Sequence, residues 1–378
     1  MMSEVSFNKP FIIGSELENI RSAVEHFHLS GDGVFTAKCH RWLEENFKIK
    51  KALLTHSCTA ALEMSAILCE VKAGDEVIVP AYTFVSTVNA FVLRGAKPVF
   101  VDIRPDTLNL DESLIENAIT SATKVIVPVH YAGIGCEMDA IMNIAGKYGL
   151  MVVEDAAQGV KAFYKDRALG SIGQLGCYSF HETKNFISGE GGALAVNDAD
   201  MLARAEIIRE KGTNRSQFFR GEVDKYTWVD IGSSYLPSEL IAAFLYAQLE
   251  NSGRITEKRM AIWNYYNERL AGLEDKGLLK RPFVPEYCQH NGHMFYIIVE
   301  NAAVREKLLA HLKMKNIQAI FHYVPLHTSP MAKKLGINVS LPVTDDMAER
   351  IVRLPCFFEL TLAEQDRVVD EIENFFAL

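Results

Sequence analysis

Residues 177–196 read CYSFHETKNFISGEGGALAV, in which two short apolar segments flank a polar loop that contains three glycines. The segments 177–181 and 193–196 have the length and composition of buried strands. Glycines allow the loop backbone to bend and to approach a ligand closely. We expect Lys184, which lies in this loop, to point into a crevice at a strand end. Taken alone, however, the pattern favours a solvated lysine before a glycine turn.

Strand and helix patterns alternate around this stretch, from about residue 50 to residue 200. Such alternation is typical of a mostly parallel sheet that helices cover on both faces. The predicted strands are 52–55, 76–79, 98–103, 125–130, 151–154, 177–181 and 193–196. The predicted helices between them include 60–69, 86–93 and 138–148. The sequence therefore predicts an α/β fold with a mostly parallel, seven-stranded sheet flanked by helices.

The pattern changes towards the C-terminus, which predicts a second domain. Residues 237–273 read as one long or broken helical stretch that links the two parts. Beyond it we expect a strand at 294–299, a helix at 303–315, a strand at 319–324 and two final helices, the last one starting at a capping box formed by Thr361 and Glu364. Because 378 residues exceed the size of a single core, we predict a large domain at 1–272, with an N-terminal arm and the linking helix, and a small α+β domain at 273–378.

Composition and charge exclude several classes of protein. The formal net charge of −9 at pH 7 provides no global positive field for a nucleic acid. The seven cysteines are scattered, without a C-x-x-C pair or paired Cys/His spacing, so they predict no metal site. The N-terminal MMSEV lacks a basic segment before an apolar run, and no stretch reaches about 18 apolar residues. We therefore expect a cytoplasmic protein that binds neither nucleic acid nor a membrane.

Carboxylates at the end of a predicted strand change the interpretation of Lys184. Residues 151–158 read MVVEDAAQ, which places Asp155 at a strand's C-terminal end, where open α/β sheets bind ligands. Lysine forms a reversible imine with an aldehyde cofactor, and an aspartate can keep the ring nitrogen of pyridoxal phosphate (PLP) protonated. Gln158 is placed to hydrogen-bond the phenolic oxygen of the same ring. The alternatives are a helix N-cap for Asp155 and a turn residue for Gln158.

Two further segments are candidates for contacts with such a cofactor. Residues 55–61 read THSCTAA and open a helix, so backbone N–H groups and hydroxyls lie at the positive end of a helix dipole, where phosphate groups bind. Helix capping is the alternative. The segment Tyr82-Thr83-Phe84, just after the second predicted strand, places an aromatic ring where it can stack on the cofactor or pack in the core.

Together these segments resemble the DegT/DnrJ/EryC1/StrS family of sugar aminotransferases over nearly the whole chain. The similar segments are, in order, 31–33 (GDG), 57–62, 80–87, 128–133 (PVHYAG), 154–158, 179–192 and 323–327 (YVPLH). The resemblance implies the fold type I architecture of PLP-dependent transferases, with PLP as the cofactor and pyridoxamine phosphate (PMP) as its second form.

The resemblance assigns a role to each candidate residue. Lys184 would form the imine with PLP, Asp155 would pair with the ring nitrogen, and Gln158 would lie beside the ring oxygen. Phe84 would stack on the ring. The phosphate would be held by Ser179, Thr59 and the backbone near Cys58 and Ala60.

One segment departs from the family pattern. Many family members have Gly-x-Asn-Tyr-Arg where this chain has GSSYL at residues 232–236. The asparagine that usually reaches the phosphate of the neighbouring subunit is therefore Ser234, and the arginine is replaced by Leu236. Either Ser234 makes a shorter contact, or Arg215 or Arg220 substitutes for the missing groups.

The resemblance also implies an activity and its partners. L-glutamate would give up its amino group as 2-oxoglutarate forms, and a nucleotide-linked keto-sugar would accept that group. Resemblance alone favours dTDP-4-keto-6-deoxyglucose, aminated at C4. His322, Tyr323 and His327 are placed to face the nucleotide sugar, although core packing is as compatible with them. A homodimer with shared active sites is expected from the family.

Two alternative functions stay open at this point. A PLP-dependent sugar dehydratase resembles the family but typically has histidine at the position of Lys184. A sensor that binds the cofactor without turnover has little use for a complete pair of Lys184 and Asp155.

Overall fold

The computed structural model describes residues 3–377. Met1, Met2 and Leu378 lie outside the described residues, and with them the first part of the N-terminal MMSEV and the end of the predicted small domain. Within residues 3–377, no helix is both long enough and apolar enough to cross a membrane.

A seven-stranded sheet organises the larger part of the chain. The strands of the described residues are β1 (Lys51–Thr55), β2 (Glu76–Pro80), β3 (Lys97–Val101), β4 (Thr123–Ile126), β5 (Met151–Asp155), β6 (Phe163–Tyr164), β7 (Arg167–Ala168), β8 (Leu175–Ser179), β9 (Gly192–Val196), β10 (Leu279–Lys280), β11 (Cys288–Gln289), β12 (Phe295–Val299) and β13 (Ile351–Leu354). The large sheet has the order β1-β9-β8-β5-β4-β2-β3. In it, β9 runs antiparallel to β1 and β8, and the other pairs are parallel. The predicted mostly parallel sheet of seven strands is confirmed.

Helices cover both faces of this sheet. The helices of the described residues are α1 (Glu16–Glu25), α2 (Val34–Phe47), α3 (Cys58–Leu68), α4 (Val85–Val92), α5 (Ile115–Ala118), α6 (Met138–Tyr148), α7 (Leu202–Arg209), α8 (Arg215–Phe219), α9 (Glu239–Glu250), α10 (Ser252–Arg269), α11 (Ala271–Asp275), α12 (Ala302–Met314), α13 (Pro330–Lys334), α14 (Pro342–Arg350) and α15 (Leu362–Ala377). Short 3-10 helices lie at Glu112–Leu114, Tyr131–Gly133, Ala199–Met201 and Leu326–Thr328.

The strands are almost wholly apolar because each strand packs into two hydrophobic cores, one on each face of the sheet. In β5, Val152 packs in one hydrophobic core and Val153 in the core on the other face of the sheet. The neighbouring residues Val77 and Ile78 of β2 divide in the same way. Successive side chains of a strand point to opposite faces, and helices bury both faces here. This burial explains the continuous apolar runs from which the strands were predicted.

Two predicted strands are shorter in the structure. The strand predicted at 98–103 ends at Val101, and the one predicted at 125–130 ends at Ile126. Val129 continues the pairing only as an isolated bridge to β5. Both segments leave the sheet at its C-terminal edge, and the one after β4 reaches the candidate site at Val129.

A smaller sheet with the order β10-β12-β13 organises the C-terminal part. Its core contains Phe295 and Ile297 of β12, residues of α12 and α15, and Trp263 and Tyr266 of the linking helix α10. Val5 of the N-terminal arm also packs there, which joins the chain's beginning to its C-terminal part. The predicted domain limits of 1–272 and 273–378 stay a prediction.

The C-terminal predictions need two corrections. Residues 319–324 are not a strand, because Ile320 forms only an isolated bridge to β13 and the surrounding backbone is irregular. Strand β13, which was not predicted, lies between α14 and the last helix. The helical stretch predicted at 237–273, as one long or broken segment, is confirmed in its broken form, with breaks at Asn251 and Leu270 between α9, α10 and α11.

The capping box of α15 is confirmed and allows a stability prediction. Thr361 Oγ1 accepts a hydrogen bond from Glu364 N at 3.2 Å, and Glu364 Oε2 accepts one from Thr361 N at 2.8 Å. Thr361→Ala should lower the free energy of unfolding by about 1 kcal/mol, because it leaves a helix-terminal N–H without its acceptor. Urea unfolding measures this change. Thr361→Ser keeps the hydroxyl and should behave like the wild type; an equal loss in both variants would contradict the capping role.

Candidate active site

A cavity of about 750 Å³ opens at the C-terminal edge of the large sheet. Such a volume suits a small molecule. Of the residues predicted for the site, the cavity is lined by Cys58, Thr59, Phe84, Asp155, Gln158, Ser179, Lys184, His322 and Tyr323. Ends of several parallel strands converge here, which is why residues distant in sequence meet in one place.

The Asp155 carboxylate at the end of β5 is buried and tightly held. Its Oδ2 accepts a hydrogen bond from Thr87 Oγ1 at 2.7 Å, and its Oδ1 accepts one from the backbone N–H of Ala157 at 3.1 Å. Thr83 Oγ1 lies 2.9 Å from Thr87 Oγ1 and extends this network. Asp155 thus organises the turn after β5 while it also faces the cavity. No helix begins between β5 and β6, so the alternative interpretation of Asp155 as a helix N-cap is wrong.

Glu154, the neighbour of Asp155, has a purely structural position. Its carboxylate is fully buried and accepts hydrogen bonds from the backbone N–H groups of residues 170, 172 and 173 at 2.6 to 2.8 Å. The Nδ1 atom of His130 accepts from Cys136 N, so Nε2 carries the proton and donates to Glu154 at 2.9 Å. Strand alternation therefore sends the two adjacent carboxylates to opposite faces of the sheet.

Lys184 lies in the loop between β8 and β9, as predicted. Backbone hydrogen bonds from Phe180 to Gly191 and from Glu182 to Gly189 close this loop at 2.8 Å. Burial lowers the pKa of the Lys184 amine, although the charge of Asp155 partly offsets this effect. A lowered pKa increases the fraction of neutral, nucleophilic amine at a given pH. The Lys184 amine is thus both desolvated and within electrostatic reach of the Asp155 carboxylate.

The start of α3 forms another wall of the cavity. Ser57 caps the helix by accepting a hydrogen bond from Ala60 N at 3.1 Å, and Thr59 Oγ1 donates to Ser86 Oγ at 2.8 Å. A Cβ on Gly192 would lie 2.4 Å from Cys58 N, so only glycine lets β9 approach this helix so closely. Hydroxyls at a helix N-terminus are typical of a phosphate site. Ala60 itself is buried and its N–H is already bonded, so it lies outside the cavity wall.

Gln158 and the predicted sugar-facing residues form the opposite side. Gln158 Oε1 accepts from Ala132 N at 2.7 Å, and its Nε2 donates to the Tyr323 hydroxyl at 3.3 Å. His322 lies within hydrogen-bond distance of the Tyr131 hydroxyl, at 3.2 Å. Burial lowers the pKa of His322, which favours the neutral ring. His327, in contrast, is buried beside Asp345 and lies outside the cavity wall.

The residues considered for the neighbouring phosphate lie away from this cavity. Ser234 is exposed and its backbone pairs with Glu210. Arg215 donates to Glu210 at 3.2 Å and lines a separate cavity of about 360 Å³. Arg220 forms ion pairs with Glu206 and Glu222. Within one chain, none of these three side chains reaches the Lys184 cavity.

The sequence pattern missed several residues that line the cavity. They are Thr83 just before α4, Ser86 and Thr87 in the first turn of α4, and Arg259, His293 and Arg353 from the C-terminal part. The two threonines carried a signal, since both closely follow the end of a strand, where open α/β sheets bind ligands. The other three are brought in only by the packing of the C-terminal part against the sheet.

The residues around the cavity fit PLP both at its ring and at its phosphate. A buried carboxylate, a desolvated lysine and a hydroxyl-rich helix start surround it. Together with the sheet order, these groups define a PLP-dependent enzyme of fold type I.

Comparisons with known proteins identify the family. The sequence model of the DegT/DnrJ/EryC1/StrS aminotransferase family matches residues 11–373. The uncharacterised protein MJ1066 of Methanocaldococcus jannaschii is 36% identical over 331 residues, which cover 85% of this chain and 84% of that protein. This chain belongs to the DegT/DnrJ/EryC1/StrS family, and it is a PLP-dependent sugar aminotransferase.

Solved structures agree with this assignment. Spr1654 of Streptococcus pneumoniae, described as a candidate sugar aminotransferase, superposes in its PLP form with a TM-score of 0.91 at 26% identity, and the match covers 99% of this chain and 98% of the other. Its PMP form superposes with a TM-score of 0.92. The aminotransferase TlmJ of Streptoalloteichus hindustanus gives a TM-score of 0.91 at 26% identity, with 99% of both chains covered. The predicted cofactor and enzyme class are confirmed.

Proposed function

We propose that this enzyme transfers the amino group of L-glutamate to C4 of dTDP-4-dehydro-6-deoxy-D-glucose. The products would be 2-oxoglutarate and dTDP-4-amino-4,6-dideoxy-D-galactose. The observation that carries the proposal is that Lys184 and Asp155 share one cavity in a chain of the sugar aminotransferase family. The choice of sugar rests on segments 181–185 (HETKN) and 212–221 (GTNRSQFFRG), which resemble the dTDP-4-amino-4,6-dideoxygalactose transaminase of enterobacterial common antigen synthesis.

Different residues of the cavity would hold different parts of the cofactor. PLP, when bound, supplies an aldehyde that exchanges amino groups and a ring that withdraws electrons. Asp155, fixed by Thr87, would keep the ring nitrogen protonated. Thr59, Ser179 and the backbone at Cys58 would hold the phosphate, Gln158 would face the ring oxygen, and Phe84, which is half exposed, would cover the ring face.

Lys184 would carry protons as well as the cofactor. Its Nζ would accept the proton from the α-carbon of glutamate in the first half of the cycle. In the second half it would deliver a proton to C4 of the sugar. Burial, which lowers the pKa of the Lys184 amine, supports this role because a general base works best when its pKa lies near the working pH.

A homodimer with shared active sites is part of the proposal. Exposed apolar side chains support it, notably Phe27, Phe219 and Trp228, which are 95%, 68% and 77% exposed. Such surfaces mark interaction sites. In the dimer, Ser234, Arg215 or Arg220 would face the partner's phosphate site. Light scattering should give twice the chain mass, and Trp228→Ser should shift the equilibrium towards monomer; a monomeric, active wild type would contradict the shared site.

The location and pathway follow from the same resemblance. We propose a cytoplasmic enzyme that supplies an amino sugar for enterobacterial common antigen, or for lipopolysaccharide or O-antigen biosynthesis. Its nucleotide sugar, rather than a membrane, would be its partner.

The proposal is tested in two steps with the purified holoenzyme. Glutamate alone should convert the yellow enzyme to its PMP form and release one equivalent of 2-oxoglutarate. The PMP form is then mixed with a panel of dTDP-, UDP- and GDP-linked keto-sugars, and the aminated products are identified by NMR. Preference for another sugar would overturn the substrate assignment. Loss of a sugar hydroxyl without amination would favour the dehydratase alternative.

A further inference from the structure

His293 lines the cavity, and none of the proposed cofactor contacts uses it. It lies in the loop between β11 and β12, and its side chain is buried. Arg259 of α10 fixes the backbone of this loop, because its guanidinium donates to the carbonyl oxygens of Gly292 at 3.1 Å and of His293 at 2.6 Å. The backbone that carries this imidazole is therefore held in place by a neighbouring helix.

The residue that follows Lys184 holds one ring nitrogen of His293. The side-chain Nδ2 of Asn185 donates to the carbonyl oxygen of Asn291 at 3.0 Å, so its Oδ1 is the acceptor for His293 Nδ1 at 2.9 Å. Nδ1 of His293 therefore carries the proton. Asn291 in turn donates to the carbonyl oxygen of Gln158 at 2.9 Å. The imidazole is thus tied both to the loop of Lys184 and to the segment after β5.

The other ring nitrogen of His293 is an unused acceptor. Nε2 has no protein partner within residues 3–377 and is not fully enclosed, which leaves it open to the cavity. Burial lowers the pKa of His293 well below its usual range, and the positive charges of Lys184, Arg259 and Arg353 lower it further. The ring is therefore neutral. With the proton on Nδ1, Nε2 presents a lone pair to the cavity.

The surroundings of this lone pair indicate its partner. Among the charges that act on His293, that of Lys184 has the largest effect, so the two side chains lie close together. The side-chain oxygens of Asp155 and Gln158, which also line the cavity, already accept hydrogen bonds from the protein. When the Lys184 amine is not joined to the cofactor, its N–H groups need an acceptor, because an unpaired polar group in a desolvated site is unfavourable. Nε2 of His293 can meet this need.

We propose that His293 is a positioning residue whose Nε2 accepts a hydrogen bond from Lys184 Nζ whenever that amine is free of the cofactor. This inference rests on the proposed function, since it takes Lys184 as the lysine that joins PLP and is released in the PMP form. No proton is transferred: Nζ stays the donor and the imidazole stays neutral. A neutral amine has one lone pair, so fixing one of its N–H groups also sets the direction in which that lone pair meets the substrate carbon.

The equilibrium of the glutamate half-reaction tests this contact. The lysine is joined to the cofactor in the PLP form and free in the PMP form, so a hydrogen bond that exists only in the second form stabilises that form. In His293→Asn, the ratio of PMP to PLP form at a fixed ratio of glutamate to 2-oxoglutarate should fall about fivefold. Absorbance measures both forms of the enzyme. Ligand concentrations below saturation keep substrate contacts out of the ratio.

A second substitution separates the roles of the two ring nitrogens. The amide nitrogen of an asparagine at position 293 takes the place of Nδ1 and still donates to Asn185, but it offers no group at Nε2. The amide oxygen of a glutamine reaches the place of Nε2 and gives up the contact with Asn185. His293→Gln should therefore keep the ratio of PMP to PLP form within about twofold of the wild type. Thermal unfolding shows whether either substitution affects folding.

His290 provides a matched control for loss of an imidazole from the same loop. Its ring centre lies 4.3 Å from that of Trp263, and it lies outside the cavity wall. His290→Asn should leave the ratio of PMP to PLP form unchanged. A fall as large as that in His293→Asn would assign the effect to the loop and overturn the inference.

Binding of PMP distinguishes Lys184 from the amino group of the cofactor as the donor to Nε2. PMP should bind Lys184→Ala and the double variant Lys184→Ala/His293→Asn with affinities that agree within about twofold, because the lysine is absent from both. Calorimetry measures these affinities. Weaker binding to the double variant would assign Nε2 to the amine of PMP and overturn the inference.

The two variants of His293 together decide the inference. A lower ratio of PMP to PLP form in His293→Asn, with His293→Gln close to the wild type, supports the contact with Lys184. An unchanged ratio in His293→Asn overturns it, and so does an equal fall in both variants, which indicates a structural role for the imidazole. If glutamate fails to convert the wild-type enzyme, or if Lys184→Ala keeps the absorption band of the covalent form, the proposed function fails first and the contact with it.

Discussion

Replacing Lys184 with alanine should reduce amino transfer by roughly 10,000-fold or more, the largest effect expected of any substitution in this enzyme. The variant would lose both the amine that joins the cofactor and the group that moves the proton. The two losses act in every turnover, so binding of either substrate cannot compensate for them. Stopped assays of 2-oxoglutarate formation over long incubation would measure the residual rate.

Controls separate chemistry from folding in this variant. The loop of Lys184 is held by backbone hydrogen bonds and by buried Phe186, so the alanine variant should unfold at the wild-type temperature. It should still bind PLP, but the absorption band of the covalent form should be replaced by that of the free aldehyde. Lys184→Arg, which retains a charge, should be equally inactive. Turnover near the wild-type rate in either variant would remove Lys184 from the mechanism.

Most of the large sheet could be predicted because its strands are buried on both faces. Apolar runs such as those of β5 and β8 can be predicted from the local sequence, without knowing which distant strands pair with them. Strand β13 was missed because it is short, follows a helix directly and contains Arg353. Residues 319–324 looked like a strand, but His322 and Tyr323 line the cavity and do not pair with another strand. The local sequence pattern therefore does not predict the structure correctly where the C-terminal part contacts the site.

Some residues of the candidate site could likewise be predicted from the sequence, and others could not. Cys58, Asp155 and Lys184 each follow a recognisable strand end, and parallel strands bring such ends together. Arg353 and His293 come from another part of the fold, so their presence depends on tertiary packing. The sequence could not separate Glu154 from Asp155 by chemistry, since both are carboxylates at one strand end. Only their alternation across the sheet assigns one to structure and the other to the cavity.

Replacing Asp155 with asparagine should reduce amino transfer by about 1000-fold. Two opposite charges about 4 Å apart interact by roughly 4 kcal/mol at an effective dielectric constant near 20, which corresponds to that factor in rate when the interaction supports the reacting state. Asparagine has nearly the same shape, and its oxygen can still accept a hydrogen bond from Thr87. The change therefore removes the charge and the acceptor of one backbone hydrogen bond, the one from Ala157 N. Rapid measurement of both half-reactions should show that both slow down.

Two variants show whether the lost charge itself is responsible. Thr87→Val removes one donor to Asp155 but keeps the charge, so we expect a loss of only about tenfold. Glu154→Gln also removes one buried carboxylate, one residue away but on the other face of the sheet. It should lower the free energy of unfolding by about 3 kcal/mol, because three backbone N–H groups and His130 donate to Glu154, while the half-reactions of the folded enzyme stay close to wild type. If Glu154→Gln slowed amino transfer as strongly as Asp155→Asn, the assignment of the ring-nitrogen partner to Asp155 would be wrong.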